Sequence, residues 1–253
     1  MSNGTTSAPR LFIGTSGWNY KDWKEDFYAG VPQKRWLAHY ASRFNSVEVN
    51  ATFYRQLQEK TYHKWLESTP EGFSFVIKGS RYVSHIKRLK EPGESVLKQR
   101  DNIAPLQPKL AAVLWQLPAK LEKDLGRLKD FLALLNREWG QARHAIEFRN
   151  ETWFEEEVAE LLQAHNVANC LSDAPNWPLW DRITSDVAYV RLHGHTELYR
   201  SAYTEEQLAA WAELARQWMD QGRVVHFYFD NTDSGAAPKN AARLQEMLAR
   251  HSA

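Results

Sequence analysis

Cysteine is almost absent. The 253 residues hold one, Cys170, which excludes an intrachain disulfide framework and makes a reducing, cytoplasmic compartment the expected setting. Net charge is nearly absent too, with 32 Lys+Arg against 31 Asp+Glu and a formal balance of +1. That balance excludes a protein that coats nucleic acid or membrane with its whole surface, although a local patch would vanish in the sum. Long apolar runs are missing as well, and the longest, Leu110–Trp115, is far too short to span a bilayer. The first residues, Met1–Arg10, are polar and lack the apolar stretch of a secretory leader. They are expected to form a disordered tail ahead of a single domain over 11–250. Aromatic residues, in contrast, are plentiful, with 11 Trp, 11 Phe and 10 Tyr.

Strand-like and helix-like segments alternate along the chain. Short apolar or period-two runs predict strands at Leu11–Gly14, Ser46–Phe53, Phe73–Lys78, Ala111–Leu117, Ala142–Phe148, Val167–Leu171, Ala188–Leu192 and Val224–Phe229. Helical periodicity starts after Pro32 and returns over Thr61–Ser68, Glu94–Pro105, Leu121–Trp139, Phe154–His165, Thr204–Gln221 and Ala236–Arg250. Between the sixth and seventh strands a loop carries Asp173, Trp177 and Trp180. Eight strands alternating with helices in about 250 residues is the count of a single (β/α)8 TIM barrel, an α/β fold with parallel strands inside and helices outside. A doubly wound open sheet is the alternative, because the pattern does not show closure. Trp36, Trp65, Trp211 and Trp218 lie in helical periodicity and are expected to face the core. Trp18, Trp23, Trp153, Trp177 and Trp180 lie in loops, where they either lid the core or offer a stacking surface for sugars or bases.

In such a barrel the chemistry sits at the C-terminal strand ends. Strand two ends with Glu48 and Asn50 on one face, strand three with Lys78 and strand four with Gln116. Strand five carries Glu147 and Arg149, Asp173 follows strand six, strand seven carries Arg191 and His193, and strand eight leads into Asp230-Asn231. Buried charges are expensive unless paired. The acids Glu48, Glu147, Asp173 and Asp230 would therefore be neutralised by Lys78, Arg149, Arg191 and His193. Such a ring either merely closes the barrel or forms a site. The site reading makes Glu48, Glu147, His193 and Asp230 the candidate catalytic residues. Trp18, Asn50, Lys78, Gln116, Arg149, Trp153, Asp173, Arg191 and Asn231 are then the candidate ligand-binding residues. It also expects an over-acidic cluster, in which Glu147→Gln changes melting temperature little.

Three chemistries compete. The acids and His193 offer ligands that a divalent Mg, Mn or Zn ion accepts, but no His-x-His or His-Glu-x-x-His spacing occurs and the interleaved cations would repel the ion. No residue is therefore assigned to a metal. A metal-free acid–base enzyme would use the carboxylate of Glu147 and the imidazole of His193, with Arg149 and Arg191 as clamps for phosphate or carboxylate. Glu48 and Glu147 could serve glycosidic hydrolysis only at a suitable separation. Nucleic-acid binding is suggested by Lys78–Arg100, a stretch with seven Lys/Arg against two acidic residues and with Tyr82 and His85 interleaved. A solvated loop and helix face is the other reading of that stretch, and the one favoured. No Walker or dinucleotide glycine pattern is present, and Cys170, within strand six, reads as a buried inert thiol.

Several segments, taken in order, resemble the successive signatures of the YecE-like family, a domain of unknown function. They are Gly14–Tyr20, Phe27-Tyr28, Val47–Tyr54, Phe75–Lys78, Trp115–Pro118, Glu147–Arg149, Tyr189–Gly194 and Phe229–Asn231, and the match runs from about Leu11 to Leu248. The resemblance implies a TIM barrel with structural similarity to the endonuclease IV and sugar isomerase barrels, and no established reaction. Asp230-Asn231-Thr232-Asp233 departs from the consecutive asparagines more usual in that family. Together these readings point to a hydrolase acting on a phosphate- or sugar-containing ligand. A non-catalytic nucleic-acid or metabolite binder is the alternative.

Overall fold

The computed structural model describes residues 11–249, so the expected tail Met1–Arg10 and the expected helix end Arg250 lie outside it. Eight strands, β1 (Leu11–Thr15), β2 (Ser46–Val49), β3 (Ser74–Lys78), β4 (Leu110–Gln116), β5 (His144–Glu147), β6 (Ala168–Asp173), β7 (Val187–Leu192) and β8 (Val224–Phe229), form one sheet in the order β1-β8-β7-β6-β5-β4-β3-β2. Every neighbouring pair is parallel. β1 meets β2 through a single parallel bridge between Ser16 and Glu48, with the Gly17 amide donating to the Glu48 carbonyl at 2.7 Å. Asn45 stitches the same seam, accepting from Ile13 N at 3.0 Å and donating to Leu11 O at 2.7 Å. A Cβ on Gly14 would stand 2.0 Å from the Ser46 carbonyl, so only glycine lets the two strands approach. The sheet closes to a (β/α)8 barrel and the open-sheet alternative falls.

The outer layer comprises α1 (Trp36–Ala41), α2 (Ala51–Tyr54), α3 (Glu59–Glu67), α4 (Gly93–Asn102), α5 (Leu125–Trp139), α6 (Glu156–Ala164), α7 (Glu205–Asp220) and α8 (Ala236–Ala249). Two differences from the sequence pattern have local causes. The second strand stops at Val49 because Asn50 adopts helical angles (φ −83, ψ −19), and Thr52 Oγ1 then donates to the Val49 and Lys78 carbonyls. Helix α5 starts at Leu125, not Leu121, because the Asp124 side chain caps it by accepting from Arg127 N. As expected, no helix links β6 to β7 among the described residues, and the crossing segment is sewn to β6 by Thr184 and Asn169.

Alternation along the strands sorts the side chains. One parity (Val47, Ile77, Trp115, Ile146, Val190, Phe227) packs outward with Leu128, Phe131, Leu208 and other helix residues. The other parity fills the barrel with Val76, Ala112, Leu114, Ala145, Ala168, Cys170, Tyr189 and Tyr228. Two residues further along these inward rows stand Lys78, Gln116, Glu147, Arg191 and Asp230, with Glu48 two beyond Ser46. The inward rows thus turn from apolar to charged at the barrel mouth.

Candidate active site at the barrel mouth

Arg191 is the hub. Its side chain is fully buried, and its guanidinium donates to Glu48 Oε1 at 2.7 Å, Glu147 Oε2 at 2.8 Å and Asp230 Oδ2 at 3.0 Å. Its Nε bridges both Glu48 oxygens at 3.1 Å. Glu48 also accepts from Ser16 Oγ at 2.8 Å and Tyr189 OH at 2.7 Å. Arg149, partly exposed, donates to Glu147 Oε1 at 2.8 Å. Burial alone would raise the Glu147 pKa, but Arg149 and Arg191 outweigh it and hold the carboxyl well below its usual range. For Asp230 burial again pushes upward, and Arg191, seconded by His193, brings it down to about 2.

His193 is buried beside this group. Its Nε2 lies 3.3 Å from Arg191 Nη1 and 3.6 Å from Glu147 Oε1. Nδ1 stands 2.9 Å from Asp230 Oδ2, yet off the line of a ring N–H bond. Trp177 covers this corner, with its ring 4.8 Å from the imidazole and 4.1 Å from the Arg149 guanidinium.

Lys78 behaves differently. It is buried, its ammonium lies 4.6 Å above the Phe53 ring, and it makes no ion pair among the described residues. Burial, reinforced by the charge of Arg191, lowers its pKa to about 8 despite the distant pull of Glu147, Glu48 and Asp230. Asn50, just beyond the end of β2, has its Oδ1 buried without a partner.

Of the sequence candidates, Glu48, Lys78, Gln116, Glu147, Arg149, Arg191, His193 and Asp230 gather at the mouth, Gln116 as the register neighbour of Glu147. The others are engaged by partners outside the Arg191 cluster. β6 runs on through Asp173, so alternation turns Ser172 inward and Asp173 outward, where it accepts from Tyr203 OH at 2.6 Å and meets His195 at 3.2 Å. Trp153 is buried against Phe148 and donates to the Leu121 carbonyl at 2.7 Å, which makes it a lid on the core. Asn231 ties Ser201 O to Asn240, both at 3.0 Å. Trp18 packs edge-on against Trp65. The over-acidic cluster is also corrected: Glu48, Glu147 and Asp230 face Arg149, Arg191 and Lys78, so three negative charges meet three positive ones.

Sequence reasoning passed over Ser16 and Tyr189, whose inward parity was readable. It also passed over Tyr20, whose hydroxyl bonds to the Ser16 carbonyl and whose pKa is raised by burial and then by Asp230. The donor set does not suit a divalent ion, because the mouth carboxylates are turned onto Arg191. Among the described residues no group of three or more His, Cys, Asp or Glu is arranged to hold one.

Fold and mouth together define a TIM-barrel protein with a buried ionic centre. The chain belongs to the family described as protein of unknown function DUF72, whose profile matches residues 12–253. It is similar to the UPF0759 protein YunF of Bacillus subtilis (strain 168), 26% identical over 271 residues, with 94% of each chain covered. Among solved structures, a DUF72 family protein of Thermotoga maritima MSB8 superposes with a TM-score of 0.81 at 28% identity, covering 94% of this chain and 99% of that one. A DUF72 family protein of Enterococcus faecalis V583 does so with a TM-score of 0.81 at 19% identity, covering 94% and 95%. No helix among the described residues is long and apolar enough to cross a membrane.

Proposed function

We propose that the mouth binds a phosphate- or sugar-containing ligand and acts on it as a hydrolase-type enzyme by metal-free acid–base chemistry. The observation that carries this reading is Lys78, a largely buried side chain whose ammonium has no carboxylate in contact. A buried charge without a partner is costly, and an anionic ligand would relieve that cost. Its pKa of about 8 also lets it hold or release a proton near neutrality, as acid–base catalysis requires. The carboxylates are poorly suited to that task, since Glu147 and Asp230 are held ionised. A glycosidase acid needs the opposite shift. Glu48, Glu147 and Asp230 instead fix Arg191, while Oδ1 of Asn50, just beyond the end of β2, is a buried acceptor without a partner that a hydroxylated phosphate ester could use. The YecE-like resemblance of the motifs brings no reaction of its own. The single thiol, Cys170, has no cysteine to pair with, and a reducing, cytoplasmic setting is the compartment we propose on that ground.

The test uses inorganic phosphate and a panel of sugar phosphates as probes, read by thermal shift and by phosphate release. The reading expects stabilisation of the wild type, none for Lys78→Met, and turnover of at least one ester by the wild type alone. Stabilisation without turnover would leave only the alternative, a non-catalytic metabolite binder. Equal stabilisation of Lys78→Met would overturn the assignment of the site.

A further inference from the structure

Among the described residues four large apolar side chains are exposed, and three share one rim: Tyr54 at 75%, Ile86 at 56% and Tyr82 at 48%. Tyr54 ends the short helix α2 after β2, and Tyr82–Ile86 forms a wide helical turn after β3. Phe53 joins the two, with its ring 5.0 Å from Tyr54 and 5.1 Å from His85, both edge to face. Around this aromatic ridge Arg55, Arg81, Lys87, Arg88, Lys90 and Lys98 make no ion pair among the described residues, whereas nearby Arg100 and Arg127 pair with Asp101 and Asp124.

Cavities flank the ridge on both sides. One of about 340 Å³ is bordered by Arg55, Tyr82 and Lys98, with Glu94 as its acidic wall. The other, about 430 Å³, is lined by His85, Ile86, Lys87, Arg88, Lys90 and Arg127. The second is shaped by unusual backbone, with Arg88 (φ 49), Leu89 (φ 62) and Glu91 (φ 43) in the left-handed region. Side chains other than glycine adopt that region at a cost, here offset by the buried Leu89 and by Arg127 donating to the Arg88 carbonyl at 3.2 Å. The result holds consecutive cations outward. Burial, then the charge of Arg81, lowers the pKa of His85 to about 4.

We infer that this rim, formed by the loops after β2 and β3, binds single-stranded nucleic acid, the cations following its phosphates and Tyr54 and Tyr82 stacking on its bases. Regularly spaced anions with flat π-faces between them match cations alternating with exposed rings. A duplex keeps its bases stacked and offers the rings nothing, and an acidic peptide supplies charge without faces. The inference stands apart from the acid–base chemistry of the mouth, because none of its contacts uses the Arg191 cluster.

Fluorescence anisotropy with labelled single-stranded DNA and RNA of about 20 nucleotides covers the site sizes expected for such surfaces. Binding should weaken ~100-fold between about 50 and about 200 mM salt if roughly five phosphates are neutralised. Lys87→Glu, Arg88→Glu and Lys90→Glu together should abolish binding with melting temperature and the phosphate-induced thermal shift at the mouth unchanged. Tyr54→Ala and Tyr82→Ala should each weaken it roughly tenfold without altering the salt slope. The preferred strand, DNA or RNA, identifies the source of the phosphates. No binding at low salt would overturn the inference. So would heparin or duplex binding as tightly as single strands with the tyrosine variants unaffected, since the rim would then be an unspecific polyanion surface.

Discussion

The barrel interior is built in two ways along one set of inward rows. Below the mouth Tyr228, Ser46 and His226 pair with neutral partners: Tyr228 OH meets Ser46 Oγ at 2.7 Å and His226 Nδ1 at 3.0 Å. His226, stacked between Phe12 and Tyr189, is kept neutral by burial, which lowers its pKa to about 3. At the mouth the same rows carry Glu48, Glu147, Asp230 and Arg191. The lower part shows that this fold can fill its interior without charge. A buried ionic cluster is often no more stable than an apolar replacement. The mouth therefore departs from the solution the molecule uses elsewhere, and on that difference rests our proposal that it is the functional end.

The largest way to break the comparison is Arg191→Met, which leaves Glu48 and Asp230 without their cation and Glu147 with Arg149 alone. We expect a loss of at least about 5 kcal/mol in urea unfolding, enough to prevent folding in many domains. Glu147→Gln comes next, at about 3 kcal/mol, because Arg149 and Arg191 lose a shared partner. That reverses the sequence-based expectation of a near-neutral change. Lys78→Met sharpens the comparison by acting in the opposite sense. The unfolded chain binds the Lys78 proton more tightly than the native one, so its penalty is complete below about pH 8 and fades as pH rises towards the ordinary lysine value of 10.5. The variant should be up to about 3 kcal/mol more stable than the wild type at pH 7, an advantage that shrinks towards pH 10. Tyr228→Phe, below the mouth, should cost only about 1 kcal/mol, measured in the same urea series.

Much of this arrangement was legible in the sequence because it follows local periodicity. Eight runs of strand character gave the barrel count, and the two-residue alternation put Glu48, Lys78, Glu147, Arg191 and Asp230 on inward rows. Closure was not legible, since it depends on Gly14, Asn45 and Ser46 meeting across a seam between distant segments. Asp173 was misjudged because one more strand residue reverses its direction, and Trp153 because a loop residue carries no periodicity to tell lid from mouth. Which cation would remain unpaired was hidden as well. A guanidinium fork can serve several carboxylates at once and an ammonium is more compact, so Arg191 gathers three acids and Lys78 none.

The central claim is that Lys78 is a buried cation awaiting an anion, and its own titration tests this most directly. With carbon-13-labelled lysine, the side-chain signal lost in Lys78→Met identifies the residue in NMR spectra of the wild type. The account predicts that this signal titrates with a midpoint of about 8, moving upward when inorganic phosphate is added. A midpoint near the ordinary value of 10.5, unmoved by phosphate, would show an ammonium already solvated or paired and would contradict the account.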